Sequence, residues 1–392
     1  MQPNSSPASP PTRRRFLGST LAATAGAPFF LQSARAAAPE FKLLDTKVIS
    51  HQPEHYHGWP TVARRSNGEL WLVWSGGREA HVCPFGQVVA MTSRDGGATW
   101  TWPRVLLDCA IDDRDAGVLE TAKGSLLVST FNSLAYVPGL AQAEQDGKWP
   151  AAKLARWQAA HRRLSPEAQQ QELGQWMLRS TDGGVTWSPR YACLVNSPHG
   201  PIQLRDGRVF YAGKELWTGD KRVGVCVSDD DGQNWRWLAG IPVRKGDVAK
   251  DYHELHAVEC ANGTLLVHIR NHNKPNAGET LQTESTDGGK TWSEPHSIGV
   301  WGLPSHLLRL RDGRLVMSYG HRRAPLGNQA RVSADHGKTW SEPMLISADG
   351  TSGDLGYPST VQLDDSSLLT VWYEKLKDRT QAVLRQARWT LS

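Results

Sequence analysis

The hydrophobic positions of this chain fall in short paired runs, each pair bent at a turn residue. Apolar-rich segments occupy residues 61–74, 117–130, 201–212, 257–269, 307–319 and 360–373, each interrupted near its middle by Asn-Gly, Asp-Gly or a similar small polar pair. A tight strand-to-strand turn needs positive φ, which glycine adopts freely, so each segment predicts a β-hairpin. The turn residues are Gly68, Gly124, Gly207, Gly263, Gly313 and, in the sixth segment, Ser366. A second pattern interleaves with the first. The octet Ser-x-Asp-x-Gly-x-x-Trp stands at 93–100, 180–187, 228–235, 285–292 and 333–340, which places its central aspartates 87, 48, 57 and 48 residues apart. Its Asp can accept backbone N–H bonds, its Gly bends the chain, and its Trp closes the gap beside the turn.

A unit recurring about every fifty residues cannot bury its apolar face alone and must stack on neighbours. Six hairpins, each followed by more strand-like sequence, predict six four-stranded blades around an axis, an all-β, six-bladed β-propeller. A parallel β-helix or a leucine-rich solenoid would repeat at a shorter period. The long first interval between octets is explained by about forty extra residues after the second blade's inner hairpin, at about 139–178. Within them 150–164 and 165–178 have helical spacing, and Ser165-Pro166-Glu167 is a helix start. This helical insertion fits a lid or rim as well as it fits decoration.

Charge narrows the class. The formal charge is +5, but Arg13, Arg14, Arg15 and Arg35 precede every acidic residue, and beyond residue 36 there remain 40 basic and 39 acidic residues. No basic face for nucleic acid is implied. Thr12-Arg13-Arg14-Arg15-Phe16-Leu17 is similar to the twin-arginine export motif, and Ala34-Arg35-Ala36 reads as a cleavage site. Residues 1–38 are therefore expected to be a signal peptide and 39–392 the propeller, periplasmic or secreted. The apolar run at 18–31 is too short and too rich in Ala, Thr and Gly to span a membrane easily, which disfavours an uncleaved anchor. Five scattered cysteines contain no Cys-x-x-Cys pair, which argues against zinc and thioredoxin chemistry and favours buried free thiols over a single disulfide. With no carboxylate cluster at calcium-loop spacing, no metal or cofactor is expected.

The same periodicity locates candidate chemistry. Nine positions before each hairpin's turn residue stand Trp59, Asp115, Pro198, Glu254, Pro304 and Tyr357. Inner strands of a propeller start near one mouth of the central channel, so these positions converge although they lie about fifty residues apart. Arg114, His199, His253, His256 and His306 adjoin them. A second ring comes from the ends of the second strands: Arg78 and Glu79, Lys214 and Glu215, Arg270, His321-Arg322-Arg323, and Glu374. Arginines at matched offsets around one mouth predict a carboxylate site, because guanidinium forks pair bidentately with carboxylates.

At these residues the chain resembles the sialidase superfamily, whose members carry such Asp-box octets on a six-bladed propeller, over roughly residues 45–390. The segment His253-Glu254-Leu255-His256-Ala257-Val258-Glu259, followed by Ile269-Arg270-Asn271, is similar to the exo-sialidase stretch holding a catalytic Glu and an arginine of the carboxylate-binding triad. Gly356-Tyr357-Pro358-Ser359 resembles the segment of the nucleophilic Tyr, and His321-Arg322-Arg323 the region of another triad arginine. The resemblance implies Tyr357 as nucleophile, Glu254 as its base, and Arg270 with Arg322 as clamp for a substrate carboxylate. A phenol suits an anomeric carbon bearing a carboxylate, because a carboxylate nucleophile would be repelled there.

Two elements of the family pattern are missing. Gly58-Trp59-Pro60 stands where the first triad arginine is expected, and the loop from Gly77 to Val82 lacks the catalytic Asp. Arg114 or Arg78 could complete the anion site, with Trp59, His199 and His256 as further substrate contacts. Glu79, His81 or Asp115 could protonate a leaving group. The expected activity is hydrolysis of terminal sialic acid or a related acidic sugar from a glycan. A uronate-specific polysaccharide lyase, using Tyr357 or one of His57, His81, His199 and His256 as base, is the alternative, and a carbohydrate-binding propeller without catalysis is the third reading.

Overall fold

The computed structural model describes residues 40–392 apart from Thr218 and Asp378; the expected signal peptide at 1–38 lies outside these residues. Strand β1 (Phe41–Val48) comes first and belongs to the last blade. Blade one is β2 (Tyr56–Arg64), β3 (Leu70–Arg78), β4 (Gln87–Ser93) and β5 (Arg104–Leu107). Blade two begins with β6 (Asp112–Glu120) and β7 (Leu126–Ser133). Helices α1 (Val137–Asp146), α2 (Ala151–His161) and α3 (Pro166–Glu172) follow, and β8 (Gln175–Ser180) and β9 (Tyr191–Ala192) complete the sheet. Blade three holds β10 (Ile202–Gln203), β11 (Val209–Lys214), β12 (Val223–Ser228) and β13 (Arg236–Gly240). Blade four holds β14 (Tyr252–Glu259), β15 (Leu265–Asn271), β16 (Glu279–Ser285) and β17 (His296–Trp301). Blade five holds β18 (Ser305–Arg309), β19 (Leu315–His321), β20 (Gly327–Ser333) and β21 (Met344–Ser347). Blade six is β22 (Leu355–Gln362), β23 (Leu368–Lys375) and β24 (Ala382–Leu391), completed by β1. The fold is a six-bladed β-propeller.

All pairings are antiparallel, and in blade six β1 lies against β24 from Phe41 opposite Leu391 to Val48 opposite Arg385. This closure explains why six hairpins carry only five octets. The octet occupies the link between the third and fourth strands of a blade. In blade six the fourth strand is β1, supplied from the front of the fold, so no such link exists.

Each octet is a closed hydrogen-bond loop that also clasps the preceding blade. In the first, Asp95 accepts from the Thr99 N–H (2.9 Å), the Thr99 hydroxyl (2.5 Å) and the Ser93 hydroxyl (2.7 Å). The Gly97 N–H donates to Ser93 Oγ at 2.9 Å. Trp100 Nε1 donates to Gln386 Oε1, and Gln386 Nε2 donates back to the Gly97 carbonyl, both at 2.8 Å, tying blade one to blade six. Trp340, Gly337 and Gln282 repeat the device between blades five and four. Because the third strand runs parallel to the innermost one, the octets lie on the face opposite the inner-strand starts.

The insertion is helical, but its boundaries differ from the sequence expectation. Residues 175–178, read as the end of a helix, form β8, because pairing of Gln175–Ser180 with β7 captures them. Helix α1 was not foreseen, since Pro138 and Gly139 are poor helix residues; packing of its Leu140 with Trp157 and Tyr136 in one apolar cluster stabilises it. All five cysteines are free, four of them buried. Among the described residues no helix is long and apolar enough to cross a membrane.

All six turn residues of the inner hairpins have positive φ, including Ser366 at 67°. A side chain in that region costs roughly 1–2 kcal/mol, against about 0.5–1 kcal/mol for the extra chain entropy of glycine. Ser366→Gly is therefore expected to raise stability by about 0.5–1 kcal/mol, or about 1–2 °C in Tm. A thermal melt showing a lower Tm would contradict this account of the turn.

Candidate active site

Four inner strands begin with a defect, and the defects build the site. Trp59, Asp115, Glu254 and Tyr357 all have positive φ, at 56°, 45°, 39° and 54°. Each sits inside a break in strand register, between Gly58 and Thr61, Arg114 and Gly117, His253 and Leu255, and Gly356 and Ser359. A bulge with a left-handed residue re-aims a side chain that regular alternation would turn between the blades. Such a conformation costs about 1–3 kcal/mol per residue and persists where the surroundings over-determine it, which is the usual mark of a functional site. Blades three and five carry Pro198 and Pro304 at the equivalent positions, and a proline ring forbids this φ. The left-handed bulge residues are thus confined to four blades.

Two of these side chains, Glu254 and Tyr357, meet each other and Arg270 of β15. The Tyr357 hydroxyl donates to Glu254 Oε1, Arg270 Nη1 donates to Glu254 Oε2, and the same nitrogen lies 2.9 Å from the Tyr357 oxygen. Burial alone would raise the Glu254 pKa, but the adjacent Arg270 charge and the bonds from Tyr357 and Arg270 bring it below the ordinary value. The Tyr357 phenol moves the other way, pushed well above its ordinary value by burial and by the Glu254 charge. The result is an ionised carboxylate holding a protonated phenol, the arrangement a general base and a nucleophile require.

Arginine donors surround this pair. Arg322 lies over the Tyr357 ring, with its guanidinium carbon 5.9 Å from the ring centroid, and spends only Nε, on the Leu355 carbonyl at 3.1 Å. Arg114 lies over Trp59 at 4.3 Å and reaches Asp112 only at 3.6 Å. Among the described residues, the two terminal nitrogens of Arg322 and Nη2 of Arg270 make no hydrogen bond within the protein, so the cluster retains planar donors for a carboxylate. Asp115 is buried beside them, and its Oδ1 has no partner. Burial pushes its pKa up to about 7, with the charges of Arg114 and Arg78 opposing and those of Glu254 and Asp112 reinforcing the rise.

Residues 154–370, more than half of the chain, match the family described as a BNR repeat-like domain. The chain belongs to that family. A sialidase from Bacteroides fragilis (strain YCH46) is 26% identical over 219 residues, covering 52% of this chain and 37% of the relative's length. A protein of unknown function from Dyadobacter fermentans DSM 18053 superposes with TM-score 0.72 at 23% identity, covering 90% of this chain and 99% of the other. The Hadza microbial sialidase superposes with TM-score 0.60 at 18% identity, covering 85% and 65%. These structural likenesses carry the six-bladed propeller fold that the chain shares with them.

Several other candidates in this BNR repeat-like protein lie elsewhere. Arg78 is fully buried, and its guanidinium is spent on Asp112 (2.5 and 3.0 Å), Ser75 and three backbone carbonyls, so it cannot also hold a substrate. Glu79 turns away to accept from Arg156 Nε and Trp157 Nε1 of α2, both at 2.9 Å. It anchors the insertion and is not free to protonate a leaving group. Trp59 is 1% exposed and serves as a platform under Arg114 and Arg78 instead of a sugar contact. His199 and His256 form a buried layer with His306 below Tyr357, and all three border a cavity of about 470 Å³ at the opposite mouth. His57 has both ring nitrogens engaged, by the Gln52 carbonyl and by Trp74 Nε1, at 2.8 Å each. Of the nominated histidines only His81 remains half-exposed.

The periodicity read above leaves out three residues here: Asp354 and Tyr56, which touch the His81 ring, and Lys375, which pairs with Asp354. A signal for two of them existed. Twelve positions before the turn residues, three upstream of the bulge ring, stand Tyr56, Asp112, Asp251 and Asp354.

The raised pKa of Asp115 has a consequence for stability. Between about pH 4 and pH 7 the folded chain keeps a proton that the unfolded chain has released, so this carboxyl lowers stability as pH rises. Asp115→Asn is expected to gain about 2–4 kcal/mol over the parent at pH 8 and little at pH 4. Urea denaturation at the two pH values tests this, and a difference independent of pH would mean that Asp115 titrates normally.

Proposed function

We propose that this protein is an exo-glycosidase that hydrolyses a terminal sugar bearing a carboxylate at its anomeric carbon, with sialic acid the leading candidate. The observation that carries the reading is the hydrogen bond from the Tyr357 hydroxyl to a Glu254 carboxylate that Arg270 keeps ionised. A phenol with so high a pKa does not ionise by itself near neutrality, so its attack needs a base in contact, and Glu254 is that base. Glu254 takes the phenolic proton as the oxygen bonds to the anomeric carbon, and the aglycone departs. Water then attacks the same carbon, and the phenolate recovers its proton from Glu254.

Arg270, Arg322 and Arg114 hold the sugar carboxylate and offset charge as the ring becomes oxocarbenium-like. The similarity to a sialidase from Bacteroides fragilis supports the substrate class. A lyase would need a free base facing the pocket; of the histidines read as candidate bases His57, His199 and His256 are buried, which narrows that alternative to His81 or Tyr357. An exported location, expected from residues 1–38, would suit a glycan substrate.

Incubation with sialosides and uronate-containing oligosaccharides, read by mass spectrometry, tests the proposal. Hydrolysis yields products whose combined mass exceeds the substrate by one water, and an unsaturated end group would replace this reading with elimination. Glu254→Gln should fold normally and lose about 10²–10⁴-fold in kcat/KM. Undiminished turnover in that variant would remove Glu254 from the chemistry.

A further inference from the structure

We infer that His81, oriented by Asp354, is the acid that protonates the departing oxygen when the glycosidic bond breaks, an assignment that rests on the glycosidase reading. His81 lies in the loop after β3, where this chain lacks the aspartate of the superfamily pattern. Its ring stands edge-on to Trp59 with centroids 5.0 Å apart, and Trp59 is in turn edge-on to Tyr357 at 6.4 Å.

The hydrogen bonds fix which nitrogen reacts. His81 Nδ1 is 2.9 Å from Asp354 Oδ1 and 2.7 Å from the Tyr56 oxygen, and the Tyr56 hydroxyl donates to the same carboxylate oxygen at 2.8 Å. The carboxylate only accepts, and Tyr56 has spent its proton on it, so Nδ1 carries hydrogen whether the ring is neutral or cationic. Nε2 makes no hydrogen bond to any described residue and is the nitrogen that gains and loses the proton. The side chain is 45% exposed, so a leaving oxygen and an incoming water can both reach it. Asp115, by contrast, is 7% exposed and sits on the bulge ring beside Glu254 and Tyr357.

The carboxylate against the ring is held in its charged form. Burial would raise the Asp354 pKa, but the bond and charge of His81, with bonds from Tyr56 and Lys375, hold it well below the usual carboxylate range. Asp354 therefore stays ionised and stabilises the cation. From β23, Lys375 Nζ lies 3.2 Å from Asp354 Oδ2 and the Tyr373 hydroxyl 3.3 Å from Oδ1. From β3, Arg78 donates to the His81 carbonyl at 3.0 Å, its charge already neutralised by Asp112. One carboxylate thus touches the ring directly, and both nearby cations are paired with carboxylates. Glu79, two residues upstream, fastens the loop to α2, and Gln381 Nε2 donates to the Glu79 carbonyl at 3.1 Å.

In the first step the bond between the anomeric carbon and the aglycone oxygen breaks, and its electron pair stays on that oxygen, which takes the proton from Nε2. In the second step neutral Nε2 takes a proton from the water that attacks the anomeric carbon. The proton returns and no oxidant is required.

The test is leaving-group dependence. A sugar aglycone needs protonation, whereas 4-methylumbelliferone departs as an anion. His81→Ala should lose about 10²–10⁴-fold in kcat/KM on a sialyl-oligosaccharide and at least ten times less on the 4-methylumbelliferyl sialoside. His81→Asn, whose amide keeps a donor for Asp354, should show the same split, and Asp354→Asn a weaker one; activity on the aryl substrate reports folding. Equal losses on both substrates, or a split seen in Asp115→Asn and absent from the His81 variants, overturn the assignment while leaving the glycosidase reading intact. A parent protein that cleaves neither substrate overturns both.

Discussion

The candidate site depends on four left-handed residues at the starts of four inner strands. At Trp59, Asp115, Glu254 and Tyr357 the backbone leaves the β region, and the ladder skips there. None of these residues is glycine, so none adopts that geometry cheaply. What holds them is the ring itself. Each inner strand is wedged between two others around a closed circle, and five octet loops clasp one blade to the next on the far face. A single relaxed bulge would have to displace its neighbours in both directions around the circle. Octets and bulges therefore divide the labour, the first locking the ring on one face and the second using that rigidity to aim side chains into the other.

Electrostatics then sets different protonation states for similar groups at one depth. Glu254 and Asp115 are both buried carboxyls, yet Glu254 is drawn below its ordinary pKa by the guanidinium and hydroxyl it contacts, while Asp115, with Oδ1 unpartnered, is pushed up to about 7. Pairs of acids driven apart by their surroundings are a familiar basis for assigning different roles. Arg270 is the pivot, because one nitrogen serves both Glu254 and Tyr357. In a buried network of this kind each member's charge is balanced by its partners, so the protonation states of Glu254 and Tyr357 are set together.

Much of this was legible before any coordinates. Hairpin turns at glycine, octets near a fifty-residue period and the constant offset of nine positions placed Glu254, Tyr357 and Asp115 at equivalent points of a circle. What periodicity could not supply was the direction of each side chain. Arg78 and Arg270 end equivalent strands, β3 and β15, yet Arg78 is consumed by Asp112 and Arg270 faces Glu254. The difference lies in a partner on the adjacent blade in one case and across the sheet in the other, and no offset rule encodes it. Glu79 was misread for a related reason, since its partners Arg156 and Trp157 belong to the insertion, which has no counterpart in the repeat. Asp354 and Tyr56 were readable from the same offset logic three residues further upstream.

Trp59 shows how the pocket can lose an expected arginine and keep its charge. The first blade presents an indole where the superfamily pattern calls for a guanidinium, and the indole supports Arg114 of the second blade across its face at 4.3 Å. A cation over an aromatic face is stabilised without a bond to any carboxylate, so its N–H donors stay available to a ligand. Had Arg114 instead been held by a close ion pair, as Arg78 is, it would be as spent as Arg78. The positive charge of this mouth thus includes one moved by one blade and kept free by the kind of surface beneath it, with Trp59 also edge-on to His81 and Tyr357. One buried side chain thereby links the parts that would bind the carboxylate, attack the anomeric carbon and release the aglycone, and its left-handed backbone at the start of β2 sets the spacing among them.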